Sequence, residues 1–359
     1  MACYHPQKGY RSIEKTANGK HTFTKSERHG NTAYPMTIPC GYCIGCRLER
    51  SRQWAMRCIA EAKMHERNCF ITLTFSEEAM KKRGHRSLAK RDFQLFMKKL
   101  RKKMGKKKIR FYHCGEYGPK LGRAHYHACL FGIDFEDKKF WKYSKPNQAI
   151  SITSKFKLYR SPTLEKLWPH GWSSIGALTF ETAAYTARYI LKKQLGKTAL
   201  EHYNTIDKTT GEITEEKLPE YTTMSRRPGI GNSWYEKYKT DIYPKDYVTM
   251  RGRNMKPPRY WDKLLERENE KLAKKVKARR KTKMAKNPSE QKTDRLLTKE
   301  KVTKLNQKQL KRSYEDEPIN AGRPRLTSNT HTHGTKLARH HTITETNRSE
   351  SNQNSQNDS

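Results

Sequence analysis

Two histidines in one strand-like segment are the residues of this chain best suited to hold a metal ion. The segment 122–132 has the sequence GRAHYHACLFG, in which His125 and His127 flank Tyr126. Because side chains alternate across a strand, both imidazoles are predicted to project from one face and Tyr126 from the other. A His-x-His pair is also found as a half-buried polar edge of a strand, so the neighbouring residues must decide between the two.

A carboxylate in the preceding segment can complete such a metal site. Residues 109–118, IRFYHCGEYG, are a second predicted strand, and the short loop that follows predicts a hairpin that brings Glu116 beside the histidines. Two imidazoles and one carboxylate leave coordination positions open. That suits Mg²⁺ or Mn²⁺, which can also hold a phosphate oxygen and water. His113 competes with Glu116 as the third ligand.

The charge of the whole chain indicates a polyanionic partner. Among 359 residues, 76 are Lys or Arg and 36 are Asp or Glu, which gives a formal net charge of +40. Neutralisation of phosphates with release of counterions makes nucleic acid the expected partner. No apolar run approaches the length of a membrane span, and the first residues lack the apolar core of a signal peptide. We therefore expect a cytoplasmic protein with no membrane partner.

A cluster of cysteines precedes the first predicted helix. Residues 39–46, PCGYCIGC, place Cys40, Cys43 and Cys46 where turns can direct three sulfurs at one ion, and Cys3 or His5 could supply a fourth ligand. The pattern predicts a structural Zn²⁺ site, with an iron–sulfur cluster as the alternative. The other cysteines are expected to be reduced thiols, as in a reducing compartment.

The elements around these motifs predict an α+β fold. Residues 47–67 and 87–104 have the apolar spacing of helices, the second capped by Ser87, and 70–75 alternate as a strand. This order favours an antiparallel sheet with helices packed on one face, which leaves the other face free for the metal and the substrate.

A helix predicted over 181–194 carries two tyrosines. Tyr185 and Tyr189 lie four residues apart and therefore stack one turn apart on one face. Taken alone, this spacing is typical of core packing. Beside a metal site in a basic protein, we interpret both as nucleophiles, since a phenol can attack a phosphodiester with help from a cation such as Lys192 or Lys193.

Aromatic residues are interleaved with lysines over 140–172. This composition suits stacking on unpaired bases, and it suits a small packed subdomain equally well.

Two arginines lie in a glycine-containing loop. Residues 225–231, SRRPGIG, could bind phosphate through Arg226 and Arg227, or could be an ordinary turn with surface charges. Together with Arg123 and Arg188, they are the arginines predicted to contact DNA.

Changes in composition predict four regions. Residues 1–46 form a loop-rich, cysteine-containing metal-binding element, and 47–256 form the catalytic domain. Residues 257–286 are predicted to form one basic, loosely docked helix. Residues 287–359 are charged and then rich in Ser, Thr, Asn and His, which predicts a disordered tail with nonspecific DNA affinity.

Taken together, these motifs resemble those of HUH endonucleases that initiate rolling-circle replication. The similarity extends over residues 1–260 and is greater still to the replication initiators of the microviruses, small single-stranded DNA phages, especially the gokushovirus branch. The segments that carry it are the cysteine cluster leading into 51–54, the strand at 72–75, GEYG at 115–118, HYH at 125–127, the helix at 184–189 and MSRRPGIG at 224–231.

The resemblance implies an HUH endonuclease fold and a specific reaction. In that family one tyrosine attacks the scissile phosphate of single-stranded origin DNA, becomes linked to the 5′ phosphate and releases a 3′ hydroxyl as primer. The second tyrosine acts after one round of synthesis, when the circle is rejoined. Leu191 replaces the first glycine that a phosphate loop ending at Thr198 would need, so unwinding is expected to require a host helicase, and synthesis a host DNA polymerase.

Other functions fit part of the pattern. A plasmid relaxase would use the same chemistry, and a single-tyrosine transposase is disfavoured by the paired tyrosines. A noncatalytic, metal-stabilised protein that binds or packages single-stranded DNA would need the charge and the cysteines, but neither His125 and His127 nor the two tyrosines.

Overall fold

The described part of the chain is mixed α+β, as predicted. A computed structural model describes residues 3–19, 21–118, 122–143, 156–188, 199, 202–206, 209–210 and 212–308. The strands are β1 (Gln7–Lys15), β2 (His21–Thr24), β3 (Gly30–Ile38), β4 (Asn68–Phe75), β5 (Arg110–Tyr117), β6 (Ala124–Phe131), β7 (Lys139–Tyr143), β8 (Lys157–Arg160), β9 (Gly171–Gly176), β10 (Asn204–Ile206), β11 (Ile213–Glu216), β12 (Tyr221–Met224), β13 (Val248–Met250) and β14 (Arg253–Met255). The helices are α1 (Ile44–Ala62), α2 (Glu77–Arg83), α3 (Lys90–Met104), α4 (Pro162–Leu167), α5 (Phe180–Arg188), α6 (Asn232–Ile242), α7 (Arg259–Glu268), α8 (Glu270–Ala285) and α9 (Thr293–Lys308).

The largest sheet carries the predicted metal ligands. Among the described residues it has seven strands in the order β12-β5-β6-β4-β9-β8-β7, and each neighbouring pair is antiparallel. The predicted strand at 70–75 lies within β4, and β5 and β6 pair as the predicted hairpin. The backbone N–H of Gly118 donates to the carbonyl of Arg123 at 2.9 Å and closes that hairpin.

Helices pack on both faces of this sheet, so the prediction of helices on one face was wrong. On one face, α2, α3 and α4 cover the residues of β4 and β6 that include Leu73 and Tyr126. On the other face, α1 and α5 cover Phe70, Cys129 and Phe131. The physical reason is that β4 and β6 carry apolar side chains on both faces at one end, and each apolar face requires a cover.

The second face is only partly covered, and the two histidines belong to it. At one end of the strands, Phe131 is fully buried beneath α1 and α5. At the other end, Trp172 of β9 is 52% exposed. Part of this face therefore remains accessible to a ligand beside the histidines.

Ser87 does not cap a helix as predicted. The helix α3 begins at Lys90, and its N-cap residue, Ala89, makes no side-chain capping bond. The hydroxyl of Ser87 instead accepts from the backbone N–H of Leu218 at 2.8 Å. The capping serine of this region is Ser76, which accepts from Ala79 N–H at the start of α2, in the arrangement that helix N-termini favour.

The N-terminal region is not loop-rich. In the described residues, β1, β2 and β3 form a small sheet in the order β2-β1-β3. Most side chains of β3 are exposed. This sheet therefore depends on backbone pairing more than on an apolar face, which is why its sequence lacks a strong strand pattern.

The predicted single basic helix is two helices, and it is not loosely docked. Asn269 separates α7 from α8 and caps α8 by accepting from Leu272 N–H at 2.9 Å. Trp261 of α7 is fully buried and stacks on Trp234 with ring centroids 5.0 Å apart. The few apolar residues of the segment are the ones that pack, so its overall polarity was misleading.

The predicted disordered tail begins with a helix. Residues 293–308 form α9, which contacts α1. Residues 309–359 lie outside the described residues, as do 189–194 of the predicted tyrosine helix, of which α5 covers 180–188. No helix in the described part of the chain is long and apolar enough to cross a membrane. The four predicted regions stay predictions.

Candidate active site and metal centre

The two histidines lie on one face of β6, as the alternation of the strand predicts. His125 lies opposite Thr74 of β4, and His127 lies opposite Thr72. Tyr126, between them, points into the core on the other face and donates its phenol proton to Asp92 Oδ2 at 2.6 Å. Both histidines are buried, at 8% and 2% exposure.

Glu116 contacts His127 directly. The Oε1 atom of Glu116 lies 2.9 Å from Nε2 of His127, and both side chains are buried. Since ligands about 2.1 Å from an octahedral ion at right angles to each other are about 3 Å apart, the two atoms are spaced like neighbouring ligands of Mg²⁺ or Mn²⁺. The pair therefore fits a divalent ion.

Hydrogen bonds orient both imidazoles. The Nδ1 atom of His125 lies 2.6 Å from the carbonyl of Arg123, which can only accept, so Nδ1 carries the proton and Nε2 keeps its lone pair. The Nδ1 atom of His127 lies 3.0 Å from the hydroxyl of Thr72. Metal-ligating histidines are typically oriented by such bonds from the second nitrogen. Thr72 was not singled out from the sequence, and its position in the strand opposite His127 is the signal that identifies it.

His125 does not meet the other two ligands closely. Its ring centroid is 6.4 Å from that of His127. Among the described residues, the cysteine cluster is the group of three or more potential ligands whose donor atoms all lie within 4.8 Å of one another. His127 and Glu116 therefore form the close pair, and His125 lies beside it on the same face.

His113 lies on the opposite face of the sheet from this pair. Its ring stacks on Phe93 of α3 with centroids 3.6 Å apart, and its Nδ1 lies 2.8 Å from Thr223 Oγ1. Burial, and to a lesser extent the charge of His127, hold the pKa of His113 well below its ordinary value. Its position excludes His113 as the third ligand, because a ligand must lie on the face of His127.

Tyr185 of α5 lies against His127. The two rings meet edge-on with centroids 5.2 Å apart, and Tyr185 also contacts Phe70 edge-on at 6.3 Å. The structure thus brings one predicted nucleophile to one predicted metal ligand. Tyr189, Lys192 and Lys193 lie outside the described residues.

Small residues allow α5 to lie close to the sheet and to α1. Ala183 and Ala187 are buried against α1 and the sheet. The hydroxyl of Ser51 donates to the carbonyl of Ala184 at 3.0 Å, which joins α1 to α5. This contact fixes the height of Tyr185 above β6.

The loop at 225–231 is held at several points of its backbone. Arg110 donates to the carbonyl of Pro228 at 2.7 Å, and Arg57 donates to that of Ile230 at 2.9 Å. Gly231 has a φ of +78° and donates its N–H to the buried carboxylate of Glu61 at 2.7 Å. The loop is therefore a rigid turn.

Both arginines of this loop, Arg226 and Arg227, are exposed. Arg123 and Arg188 are half-buried. The guanidinium of Arg123 lies 5.4 Å from the ring centre of Trp172 and donates to Glu77 at 3.1 Å.

The four predicted cysteines of the metal cluster converge. Their sulfur atoms all lie within 4.8 Å of one another, with Cys3 3.7 Å from Cys40 and 4.0 Å from Cys43, and Cys40 4.0 Å from Cys46. Thiolates at the corners of a tetrahedron with bonds of about 2.3 Å are about 3.8 Å apart. The cluster therefore fits one tetrahedral ion. An iron–sulfur cluster would spread its thiolates over separate iron atoms.

Cys3 is the fourth member of this group, and His5 is not. The Nε2 atom of His5 lies 2.6 Å from Oε2 of Glu300, in α9. Burial opposes ionisation of Cys43, but N–H donors from Tyr4 and Cys46 and the neighbouring thiols outweigh it and lower its pKa to about 7. All eight cysteines of the chain are free, as predicted.

A contact that the sequence did not predict lies beside this cluster. The hydroxyl of Tyr4 lies 2.8 Å from that of Thr303, and Glu300, which bonds His5, is buried. Residues next to Cys3 therefore hold α9 against the N-terminal region.

Comparisons with known proteins agree with this arrangement. The family model for replication-associated protein ORF2 matches residues 68–194, which run from β4 through the histidine strand and beyond Tyr185. No solved structure matches the chain.

Curated relatives are replication-associated proteins of phages. The chain is 31% identical to replication-associated protein ORF2 of Spiroplasma virus 4, over 75% of this chain and 81% of the relative. It is also 31% identical to replication-associated protein VP4 of Bdellovibrio phage phiMH2K, over 62% of this chain and 66% of the relative. For replication-associated protein ORF4 of Chlamydia phage 1, the identity is 31%, over 48% of this chain and 42% of the relative. The chain therefore belongs to the ORF2 family of phage replication-associated proteins.

Proposed function

We propose that this protein initiates rolling-circle replication by nicking one strand of single-stranded origin DNA through a tyrosine. The observation that carries the proposal is the edge-on contact of Tyr185 with His127, whose Nε2 lies 2.9 Å from Glu116. A phenol thus lies beside an imidazole and a carboxylate on one sheet face, in a chain with a net charge of +40. This set suits attack on a phosphodiester.

The chain's own residues supply the nucleophile and the orientation. The phenol oxygen of Tyr185 attacks the phosphorus, forms a tyrosine–phosphate bond and breaks the bond to the 3′ oxygen of the leaving strand. The phenol proton is lost and the 3′ oxygen gains a proton, so the products are a 5′-phosphotyrosine link and a 3′ hydroxyl. Lys192 and Lys193 assist by stabilising the negative charge.

A divalent ion, Mg²⁺ or Mn²⁺, would be held by Glu116, His125 and His127 and would polarise the phosphate at which the tyrosine attacks. The donor set supports this assignment because His125 keeps the lone pair of Nε2 and because Glu116 and His127 are spaced like neighbouring ligands.

Tyr189 would act as the second nucleophile, one helical turn from Tyr185. After one round of synthesis it cuts the regenerated origin while the first link is resolved and the circle is joined. Because each phosphotyrosine link conserves a phosphodiester bond, joining needs no ATP. We infer that a host helicase separates the strands and a host DNA polymerase extends the 3′ hydroxyl, in the cytoplasm of the host bacterium.

The remaining sites have supporting roles in this proposal. The cluster of Cys3, Cys40, Cys43 and Cys46 holds a structural Zn²⁺, for which the sulfur separations of 3.7–4.0 Å are suited. The exposed Arg226 and Arg227 contact the phosphates of the DNA.

A covalent-adduct assay tests the proposal. Full-length protein is incubated with Mn²⁺ or Mg²⁺ and with labelled single-stranded fragments that tile the cognate circular genome, and the products are separated on a denaturing gel. The proposal expects a shifted band with one origin fragment, and its loss in the double variant Tyr185→Phe, Tyr189→Phe. If the protein binds the fragments and no adduct forms with either ion, nicking is rejected and noncatalytic binding of single-stranded DNA becomes the function.

A further inference from the structure

An exposed tryptophan lies in line with the histidine strand. Trp172 of β9 is the partner of Thr74 in β4, and Thr74 is also the partner of His125 in β6. Side chains of directly opposed residues project from the same face. Trp172 therefore lies on the face of His125, two strands away, at about 10 Å for a strand spacing of about 4.8 Å.

A second exposed tryptophan lies further along the same face, at the edge of the sheet. Tyr159 of β8 opposes Ile175 in the core beneath α3 and α4, so its neighbour Arg160 projects from the histidine face. The guanidinium of Arg160 lies 5.8 Å from the ring centre of Trp141 in β7, and the Lys142 ammonium lies 3.9 Å from it. Trp141 thus continues the line from His125 through Trp172.

Core packing does not account for these two side chains. Trp141 is 46% exposed and Trp172 is 52% exposed, whereas Trp168, from the same part of the chain, is 1% exposed. Tryptophan is usually well buried, so two half-exposed indoles on one face need another explanation. Each has a cation over its ring, and Arg123 above Trp172 is held by Glu77 at 3.1 Å.

We propose that Trp172 and Trp141, with Arg123, Arg160 and Lys142, form a binding platform for unpaired DNA bases that flank the strand to be nicked. This inference rests on the proposed function, because it names how the substrate of the same site is held. Aromatic rings stack on any base that is free of its partner strand, and the cations beside them neutralise the phosphates between successive bases. In a duplex the base faces are already stacked, so the tryptophan platform selects single strands.

Binding measurements on the full-length protein test the tryptophan platform without cleavage. Fluorescence anisotropy is recorded in EDTA with a labelled single-stranded oligonucleotide and with the matching duplex. The variants are Trp172→Ala, Trp141→Ala and the double variant. The matched control is Phe140→Ala, because Phe140 lies on the same strand with 52% exposure but packs against Tyr159 of the opposite face.

Each tryptophan variant is expected to weaken binding of the single strand by about 5-fold to 150-fold, the range for loss of one stacked base. Phe140→Ala should bind like the wild type, and duplex binding should change little in every variant. Trp172→Phe should restore most of the affinity, whereas Trp172→Leu should not, because leucine is apolar without being planar. Thermal unfolding midpoints should agree among all variants, since both indoles are half exposed.

Three results would overturn the tryptophan platform: unchanged affinity in the double variant, equal losses for single strand and duplex, or equal affinity of Trp172→Leu and Trp172→Phe. Unchanged affinity would assign the exposed indoles to a protein partner. The adduct assay on the wild type decides nicking separately. If no adduct forms and the tryptophan variants still lose single-strand affinity, nicking fails while the platform stands.

Discussion

The ring of Tyr185 meets the ring of His127 edge-on, with their centroids 5.2 Å apart. One residue comes from a helix and the other from a strand, and 57 positions in the chain separate Thr186, the next residue of that helix, from Cys129, whose sulfur lies 3.9 Å from its hydroxyl. The contact therefore depends on how α5 lies across the sheet. It is the reason to place a nucleophile at this metal site.

Replacement of Tyr185 by phenylalanine tests this contact. We expect the initial rate of adduct formation on the origin fragment to fall by at least about 100-fold, since an enzyme without its nucleophile keeps only binding and polarisation. DNA affinity should not change, because the ring stays in place. Tyr34→Phe, at an exposed site of β3, is the control. Full-rate cutting by Tyr185→Phe together with loss in Tyr189→Phe would assign the first cut to Tyr189.

Glu116→Gln is expected to weaken the divalent site. The amide keeps the size of the side chain but loses the negative charge and one acceptor beside His127. We expect Mn²⁺ affinity, measured by calorimetry or by electron paramagnetic resonance, to fall by at least about 10-fold. Glu136→Gln, which changes an exposed carboxylate paired with Arg67, should bind Mn²⁺ like the wild type. Equal affinities of the two variants would remove Glu116 from the site.

Removal of the metal from the cysteine cluster is expected to loosen α9. Cys3 is followed by Tyr4 and His5, which bond Thr303 and Glu300 of that helix. Amide hydrogens of residues 293–308 should therefore exchange faster after treatment with a strong chelator, or in Cys46→Ser.

Metal analysis accompanies that experiment. The purified wild type should contain about one zinc per chain, as a tetrahedral four-cysteine site holds a single ion. Cys69→Ala should contain the same amount, because Cys69 is buried in β4 away from the cluster. Bound iron with visible absorbance would support the iron–sulfur alternative, and protein free of any metal with unchanged exchange would reject the site.

Acidification should expose the role of Glu61. Burial opposes its ionisation, but hydrogen bonds from His65 and Gly231 and the charge of Arg110 outweigh it, so its pKa lies below the ordinary value. A carboxylate with a lowered pKa contributes stability above its unfolded pKa, about 4.3, and that stability is lost as the pH falls through the folded value.

Glu61→Gln should therefore be less stable than the wild type by about 3 kcal/mol at pH 7, because it leaves Arg110 buried without its carboxylate. The difference should shrink below about pH 4, where the wild type also loses the charge. Urea unfolding at several pH values measures both. Glu270→Gln, at an exposed carboxylate, should match the wild type throughout. A difference that does not vary with pH would contradict the assignment.

Arg226 and Arg227 should contribute to the salt dependence of DNA binding. If each contacts a phosphate, replacing one by glutamine should reduce the slope of log affinity against log salt by about 1. Arg11→Gln, an exposed arginine of β1, should leave the slope unchanged. Identical slopes in all three proteins would make the loop an ordinary turn with surface charges.

The sequence alone determined the local elements of the site. Strict alternation placed His125 and His127 on one face of β6, and the short connection made β5 its partner, because both properties depend only on neighbouring residues. The spacing of cysteines predicted a metal cluster for the same reason.

Only the tertiary structure decided what lies across the chain. It excluded His113, since the face that a side chain takes matters only once the sheet is assembled. It also chose Cys3 over His5, covered part of the histidine face with α1 and α5, and left Trp172 exposed while Trp168 was buried. These outcomes depend on packing between segments far apart in sequence, where the same residue type can serve the core or the surface.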